Sequence, residues 1–231
     1  MARVSPQRRG RFITFEGLDG CGKSTQVRRL AEVLRGQGVD VVTTREPGGT
    51  AIGEQTRAIL LDSATSGLEP WAELALMFAA RAQHVQEVIL PALNSGKWVL
   101  CDRFTDSSEA YQGGGRKLGS EAVLTLHRVL CENLQPDLTL LMDSDVDASV
   151  ARGRRRNRGK VATSQVGESD ENRFEQENRE FFARVQEAYY AIARREPRRL
   201  LMLDARRPGD VVHLEIVAAV RERFLSAAKT A

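Results

Sequence analysis

Cysteine is scarce and unpaired in this chain. Cys21, Cys101 and Cys131 are widely spaced, with no C-x-x-C pair among them, so neither a disulfide framework nor a zinc site is indicated. A reducing, cytoplasmic setting is the expectation. Long apolar runs are lacking too. No stretch reaches the roughly 18 residues of a membrane helix, and the opening segment has charge but no apolar signal core. No membrane contact is therefore expected, and residues 1–10 read as a flexible basic tail. An excess of one charge sign is also missing. The 34 basic and 31 acidic residues leave a formal charge of only +3, too even for a protein that coats nucleic acid, so no nucleic-acid partner is expected and any anion affinity must be local. There is no internal repeat.

What the chain does have is apolar material: 42% of its 231 residues are hydrophobic, enough to build one sizeable domain over 11–231. Short β-branched runs at 12–15, 39–43, 98–101, 138–142 and 200–203 are separated by segments long enough for helices. That alternation predicts an α/β fold in three layers, an about five-stranded parallel sheet flanked by helices. Helical patterns are expected at 25–35, 73–90, 121–133, 146–156, 172–195 and 210–227. A dense arginine cluster opens the polar stretch 152–170, whose composition predicts a mobile surface loop, a lid over about 152–171.

Gly17-Leu18-Asp19-Gly20-Cys21-Gly22-Lys23-Ser24, followed by Thr25, completes a G-x-x-x-x-G-K-[ST] pattern between the first strand and the first helix. Glycines there let a loop wrap an anion, so that backbone N–H groups and the helix N-terminus point at phosphate. Lys23 can reach the outer phosphates of ATP, and Ser24 can hold Mg²⁺.

Further along the same sheet edge, Asp102 and Arg103 end the third strand, where open α/β sheets bind ligands. Asp102 is placed to act on Mg²⁺, directly or through water, and the fork of Arg103 to clamp a phosphate. Arg45 and Arg57 flank a Pro-Gly-Gly turn. Either arginine can face a second anion, or both are simply solvated. Ser107, Ser108, Tyr111 and Gln112 bring hydroxyls, an amide and an aromatic suited to a sugar and a base, although a glycine turn after an exposed helix has the same composition. On the segment 73–84, most apolar positions read as helix core. Arg81 lies on the face of Met77 and Phe78, and His84 reads as a polar contact rather than a base. Some of Arg152, Arg154, Arg155, Arg156 and Arg158 are in place to neutralise a transferring phosphoryl group.

In this order, Phe15-Glu16-Gly17 with the phosphate loop, Arg45-Glu46-Pro47-Gly48-Gly49-Thr50, Asp102-Arg103-Phe104 with 107–116, and the arginine-rich stretch resemble the bacterial-type thymidylate kinases of the P-loop nucleoside monophosphate kinase group. The resemblance covers roughly 11–225 and implies a P-loop NTPase-type fold and the reaction ATP + dTMP ⇌ ADP + dTDP. It also implies Mg²⁺ bridging the ATP phosphates and a homodimer formed through helices. Asp19 would sit near the acceptor's sugar and phosphate, Arg103 would grip that phosphate, Arg81 would bond the thymine carbonyl, Ser108 would lie at the base edge, and Tyr111 would press on the deoxyribose. The place four before Arg81, where many relatives carry a stacking aromatic, is Met77; Phe78, three before, is the stacking candidate. Positions 20 and 21 hold no arginine, so the catalytic arginine is expected from the lid, as Arg152 or Arg156. Three readings compete. One is a kinase for another nucleotide or a deoxynucleoside; another is a GTPase-like switch or regulatory binding module, for which the chain lacks an Asn-Lys-x-Asp segment; the third is an inactive scaffold that keeps the loop but has lost transfer, against which stand the intact Asp19, Lys23, Asp102 and Arg103.

Overall fold

The computed structural model describes residues 9–65, 67–161 and 173–225, the side chains at 153, 154, 156–161 and 175 excepted. Five strands, β1 (Phe12–Glu16), β2 (Val41–Arg45), β3 (Trp98–Asp102), β4 (Leu138–Asp143) and β5 (Leu200–Asp204), pair in the order β2-β3-β1-β4-β5, all parallel. A parallel sheet needs cover on both faces. One face carries α1 (Lys23–Gly36) and α9 (Gly209–Phe224), whose Leu30, Leu34, Ile216 and Val220 meet Ile13, Phe15, Leu100 and Leu140. The other carries α3 (Pro70–His84), α6 (Ser120–Leu130) and α8 (Arg179–Arg195), packed on Phe12, Val99, Cys101 and Leu141. Period-two alternation along β1 therefore sends Ile13 and Phe15 to one layer, and Thr14 and Glu16 to the other.

Each expected strand forms, within two residues of its expected bounds. The helices depart more. α2 (Ala51–Leu61), capped by Thr50 Oγ1 accepting from Gly53 N at 2.9 Å, had only an implied place beside Arg57. The segment expected at 73–90 starts earlier, with Pro70 in the first turn where a proline needs no N–H partner, and continues through a π-helical turn at Val85–Ile89 into α4 (Leu90–Asn94). The stretch 107–115, for which a glycine turn after an exposed helix is the alternative to a base- and sugar-reading segment, is buried helix. α5 (Thr105–Ser108) runs into a π-helical segment, Glu109–Gly115, whose glycines let α8 approach so closely that a Cβ on Gly114 or Gly115 would strike Ala188 or Phe181 at 2.6 Å. α7 (Val146–Val161) carries helix past 156 into the expected lid. α8 begins at Arg179 rather than 172, capped by Asn178. Residues 1–8 of the expected tail and 162–172 of the lid lie outside the described residues. Arg9 and Gly10 are tied down, Gly10 N donating to Leu93 O at 2.8 Å and Arg9 pairing with Asp137.

The sheet is the rigid platform from which the loops at its carboxyl edge project. Leu140, fully buried on β4, is part of that platform. Replacing it by Ala is expected to lower unfolding stability by about 2–5 kcal/mol, read as a shift of the urea midpoint at unchanged slope.

Candidate active site

The loop between β1 and α1 is built for close approach to an anion. Gly17 has φ 129°, and a Cβ there would meet Met142 O at 2.6 Å. Gly22, in the left-handed region, opens α1 so that Lys23 and Ser24 stand at its N-terminus. Lys23 Nζ is folded over the loop, donating to Gly17 O at 3.1 Å and Leu18 O at 2.8 Å, 3.6 Å from Cys21 Sγ. Ser24 Oγ donates to Asp102 Oδ2 at 2.5 Å across the mouth. One hydroxyl and one carboxylate at this point fit Mg²⁺, which keeps water and phosphate as most of its ligands. Among the described residues no cluster of three or more His, Cys, Asp or Glu exists that would make an all-protein cage.

Around the loop opens a cleft of about 690 Å³, lined by Asp19, Lys23, Ser24, Thr25, Arg45, Arg57, Asp102, Arg103, Arg152 and Arg155. Arg152 reaches back to the loop, Nε donating to Gly20 O at 3.0 Å. Arg45 pairs with Glu54 at 2.9 Å, and Arg57 Nη1 donates to Pro47 O at 3.1 Å. Arg103 is the most elaborately held. Its Nη1 donates to Gly17 O and Ser107 Oγ, both at 2.9 Å, and to Tyr189 OH at 3.3 Å; its Nη2 donates to Asp19 Oδ1 at 2.9 Å and Tyr111 OH at 3.3 Å. Its backbone has φ 73°, a left-handed conformation uncommon for any residue other than glycine. Such a residue persists only where its surroundings over-determine it.

Behind the cleft lies a smaller chamber of about 80 Å³, walled by Met77, Ser107, Tyr111, Gln112 and Phe174 and sharing Asp19, Glu46, Arg57 and Arg103 with the cleft. Three buried carboxylates organise its surroundings. Glu46 accepts from Arg81 Nε at 2.7 Å and meets His84 Nδ1 at 2.9 Å. Burial works to raise its carboxyl, but Arg81 and His84 outweigh that and hold it below the ordinary range. Glu73 accepts from Gln112 Nε2 at 2.7 Å, Arg173 Nη1 at 2.8 Å and Arg116 Nε at 3.1 Å. Glu16 meets Phe104, Ser107 and Tyr189. Three buried polar atoms are left without a partner here, the Arg81 Nη1 and Arg173 Nη2 donors and the Gln112 Oε1 acceptor. Glu73 fixes the Gln112 amide orientation, so that its oxygen faces away from the carboxylate.

A family model described as thymidylate kinase matches residues 15–216. The chain belongs to the thymidylate kinase family. Thymidylate kinase of Thiobacillus denitrificans is 50% identical over 213 residues, 92% of this chain and 97% of that one. That of Pelobacter propionicus is 48% identical over 217 residues, 94% and 96% of the two chains. The crystal structure of thymidylate kinase from Ehrlichia chaffeensis superposes with a TM-score of 0.70 at 33% identity, covering 92% of this chain and 99% of that one. The five-stranded parallel sheet and its loop are thus the P-loop NTPase fold of a thymidylate kinase.

Set on this thymidylate kinase framework, the sequence candidates divide. Asp19, Gly20, Gly22, Lys23, Ser24, Thr25, Arg45, Arg57, Asp102, Arg103 and Arg152 share the cleft, and Ser107, Tyr111 and Gln112 share the chamber. Gly17, Leu18 and Cys21 build the loop from beneath. Phe78 needs correcting: it is fully buried in the core beneath Arg81, whose guanidinium lies 4.7 Å from its ring, and Met77 is the residue on the chamber wall. Helical spacing explains the exchange, since a one-residue step turns the side chain by about 100°. Arg81 and Ser108 stand behind the wall, bonded to each other at 2.9 Å. The Arg156 side chain lies outside the described residues. Glu16, Glu46, Glu73, Tyr189, Arg173 and Phe174 were given no role by sequence reasoning. Glu46 sat inside a quoted motif and Glu16 ended a strand before the loop, which was signal enough to suspect both.

Glu46→Gln leaves the Arg81 charge buried without its counter-charge, with an expected loss of about 3–5 kcal/mol at pH 7. Because the folded carboxyl sits below the ordinary 4.5, its contribution is present at neutral pH and lost as pH falls through the folded value. Urea unfolding at pH 7 and pH 4 should show a smaller acid-side loss in the variant than in the parent.

Proposed function

We propose that this chain transfers the γ-phosphoryl group of ATP to dTMP, giving ADP and dTDP, with the donor on the phosphate loop and the acceptor phosphate at Arg103. The observation that carries this reading is the convergence of two anion-binding devices on one cleft: main-chain amides with Lys23 at the α1 N-terminus, and the Arg103 fork. Transfer in line between them needs positioning and charge neutralisation rather than a strong base, since the acceptor oxygen is already ionised. Ser24 and Asp102 would hold Mg²⁺, which when bound offsets charge on the ATP phosphates. Arg152, with Arg156 beyond it on the lid, supplies positive charge to the transferring group. Arg45 and Arg57 face the acceptor side, Asp19 and Tyr111 the sugar, and Ser107 and Gln112 the base, with Arg81 and Ser108 directly behind that wall as the further base-reading groups.

The chamber as it stands is too small for a nucleoside. One wall must give, and Phe174, on a short 3₁₀ turn (Phe174–Gln176) outside the sheet and long helices, is the wall proposed to move. The orphaned Arg81 donor and Gln112 acceptor favour thymine, which presents a carbonyl beside an N–H. Cytosine presents an amino group and a bare nitrogen in those places.

Release of ADP, followed by a coupled assay over dTMP, dUMP, dCMP, dAMP and thymidine, tests the reading. Turnover is expected with dTMP and at least about 100-fold lower kcat/KM with dCMP. Lys23→Ala or Arg103→Ala should abolish most dTMP turnover while the chain stays folded. Equal turnover on all acceptors, or near-normal kcat in either variant, would refute it.

A homodimer is part of the same proposal. Ile52 and Ile59 on α2, Trp71 on α3, and Val129 and Leu130 on α6 are exposed apolar side chains, and α3 packs against both α2 and α6. Clustered exposure of this kind marks an association surface. Sedimentation should give a dimer for the parent and a monomer for Trp71→Asp. The cytoplasm is the expected location, as the three cysteines are all free and buried.

A further inference from the structure

We propose that Glu16 is a positioning residue that sets the grip of Arg103 on the acceptor phosphate, by holding two hydroxyl groups with their lone pairs turned toward the guanidinium. This rests on the reading that Arg103 binds that phosphate. Glu16 ends β1 on the face covered by α5 and α8 and is fully buried. Its Oε1 accepts from Phe104 N at 2.8 Å, which fixes the backbone one residue past the left-handed Arg103. Its Oε2 accepts from Ser107 Oγ at 2.5 Å and Tyr189 OH at 3.1 Å. Those two oxygens are the ones to which Arg103 Nη1 donates, at 2.9 and 3.3 Å.

A hydroxyl has one proton and two lone pairs. While Glu16 is a carboxylate, both hydroxyl protons can point to it and both oxygens are free to accept from Arg103. Put a proton on Glu16, and that proton goes to one of the same oxygens, whose own proton turns to the other hydroxyl 2.9 Å away; each oxygen keeps a lone pair for the guanidinium but, no longer donating to a carboxylate, is a weaker acceptor. A neutral Glu16 thus loosens Arg103 by reversing a hydrogen-bond direction, with no change of packing.

The charges around the carboxyl decide when this happens. From β3, the Arg103 guanidinium favours the carboxylate and the Cys101 thiol lies near. From α5, Asp106 opposes it, partly neutralised by Arg199, which pairs with Asp106 at 2.6 Å from just before β5. From α8, the Tyr189 hydroxyl faces it, and Thr139 on β4 bonds Asp106. Burial first and Asp106 second push the Glu16 carboxyl up to about 7. The gripping form is the deprotonated one, so affinity for the acceptor is present above this value and lost as pH falls through it.

Calorimetric titration of dTMP into the parent, Glu16→Gln and Arg103→Ala at pH 6, 7 and 8 tests the idea. The ligand's own phosphate titrates near about 6 but does so identically for all three proteins, so it cancels in the comparison. The parent should lose about tenfold more affinity than Glu16→Gln between pH 8 and pH 6. Glu16→Gln, whose amide donates as a protonated acid would, should bind at pH 8 with the relative weakness of the parent at pH 6. Parallel profiles for the two would overturn the proposal. Arg103→Ala should bind weakly at every pH; parent-like binding by this variant would instead overturn the assignment of the acceptor phosphate to Arg103. Should Glu16→Gln not fold, Tyr189→Phe deletes one donor to the carboxylate and is expected to move the parent's pH midpoint upward, and an unmoved midpoint would count against Glu16.

Discussion

Arg103 carries a positive charge into the space between the phosphate loop, β3, the α5 segment and α8, and the polar groups around it hold that charge still. Its guanidinium meets Gly17 O, Asp19, Ser107, Tyr111 and Tyr189, while its backbone takes a left-handed turn fixed by Phe15 O on one side and Glu16 on the other. The strained dihedral is of order 1–3 kcal/mol unfavourable. It aims the side chain from a strand end across the cleft, where a strand continuing regularly would have sent it elsewhere.

Buried carboxylates are the complementary half of this design. Glu16, Glu46 and Glu73 lie at 4% exposure or less, and each engages a different arginine: Arg103 through two hydroxyls, Arg81 directly, and Arg116 with Arg173. Desolvation makes such groups poor sources of net stability, because the attraction only offsets what burial takes away. They are better understood as fixing geometry. Glu73 ties the segment returning from the lid to α3 and, through Gln112, to the chamber; Glu46 does the same for the loop after β2, where Gly49 has room for no Cβ against His84 and Thr44. Each carboxylate therefore couples a loop or segment of the catalytic edge to a helix or strand beside it.

Much of this was legible beforehand. The strands were readable because buried parallel strands are short continuous apolar runs, and the phosphate loop because its function fixes glycine, lysine and serine at set spacing. Asp102 and Arg103 were legible as a charged pair ending such a run. Less legible were the 107–115 stretch, whose glycines suggested an exposed turn and instead serve close packing against α8, and Phe78, which differs from its neighbour Met77 only by one step of helical rotation. Tyr189 sits 86 positions from the arginine it supports, and no local pattern marks it.

The amino-acid order by itself determined the strands, the phosphate loop and the sheet edge that bears the chemistry, since those depend on periodicity and on spacing within a few residues. Only the tertiary structure decided which charges meet: that Glu16 stands behind Arg103, that Glu46 takes Arg81 and His84 together, and that Met77 rather than Phe78 faces the chamber. Burial and long-range pairing set those outcomes, and neither is a property of any short stretch of chain.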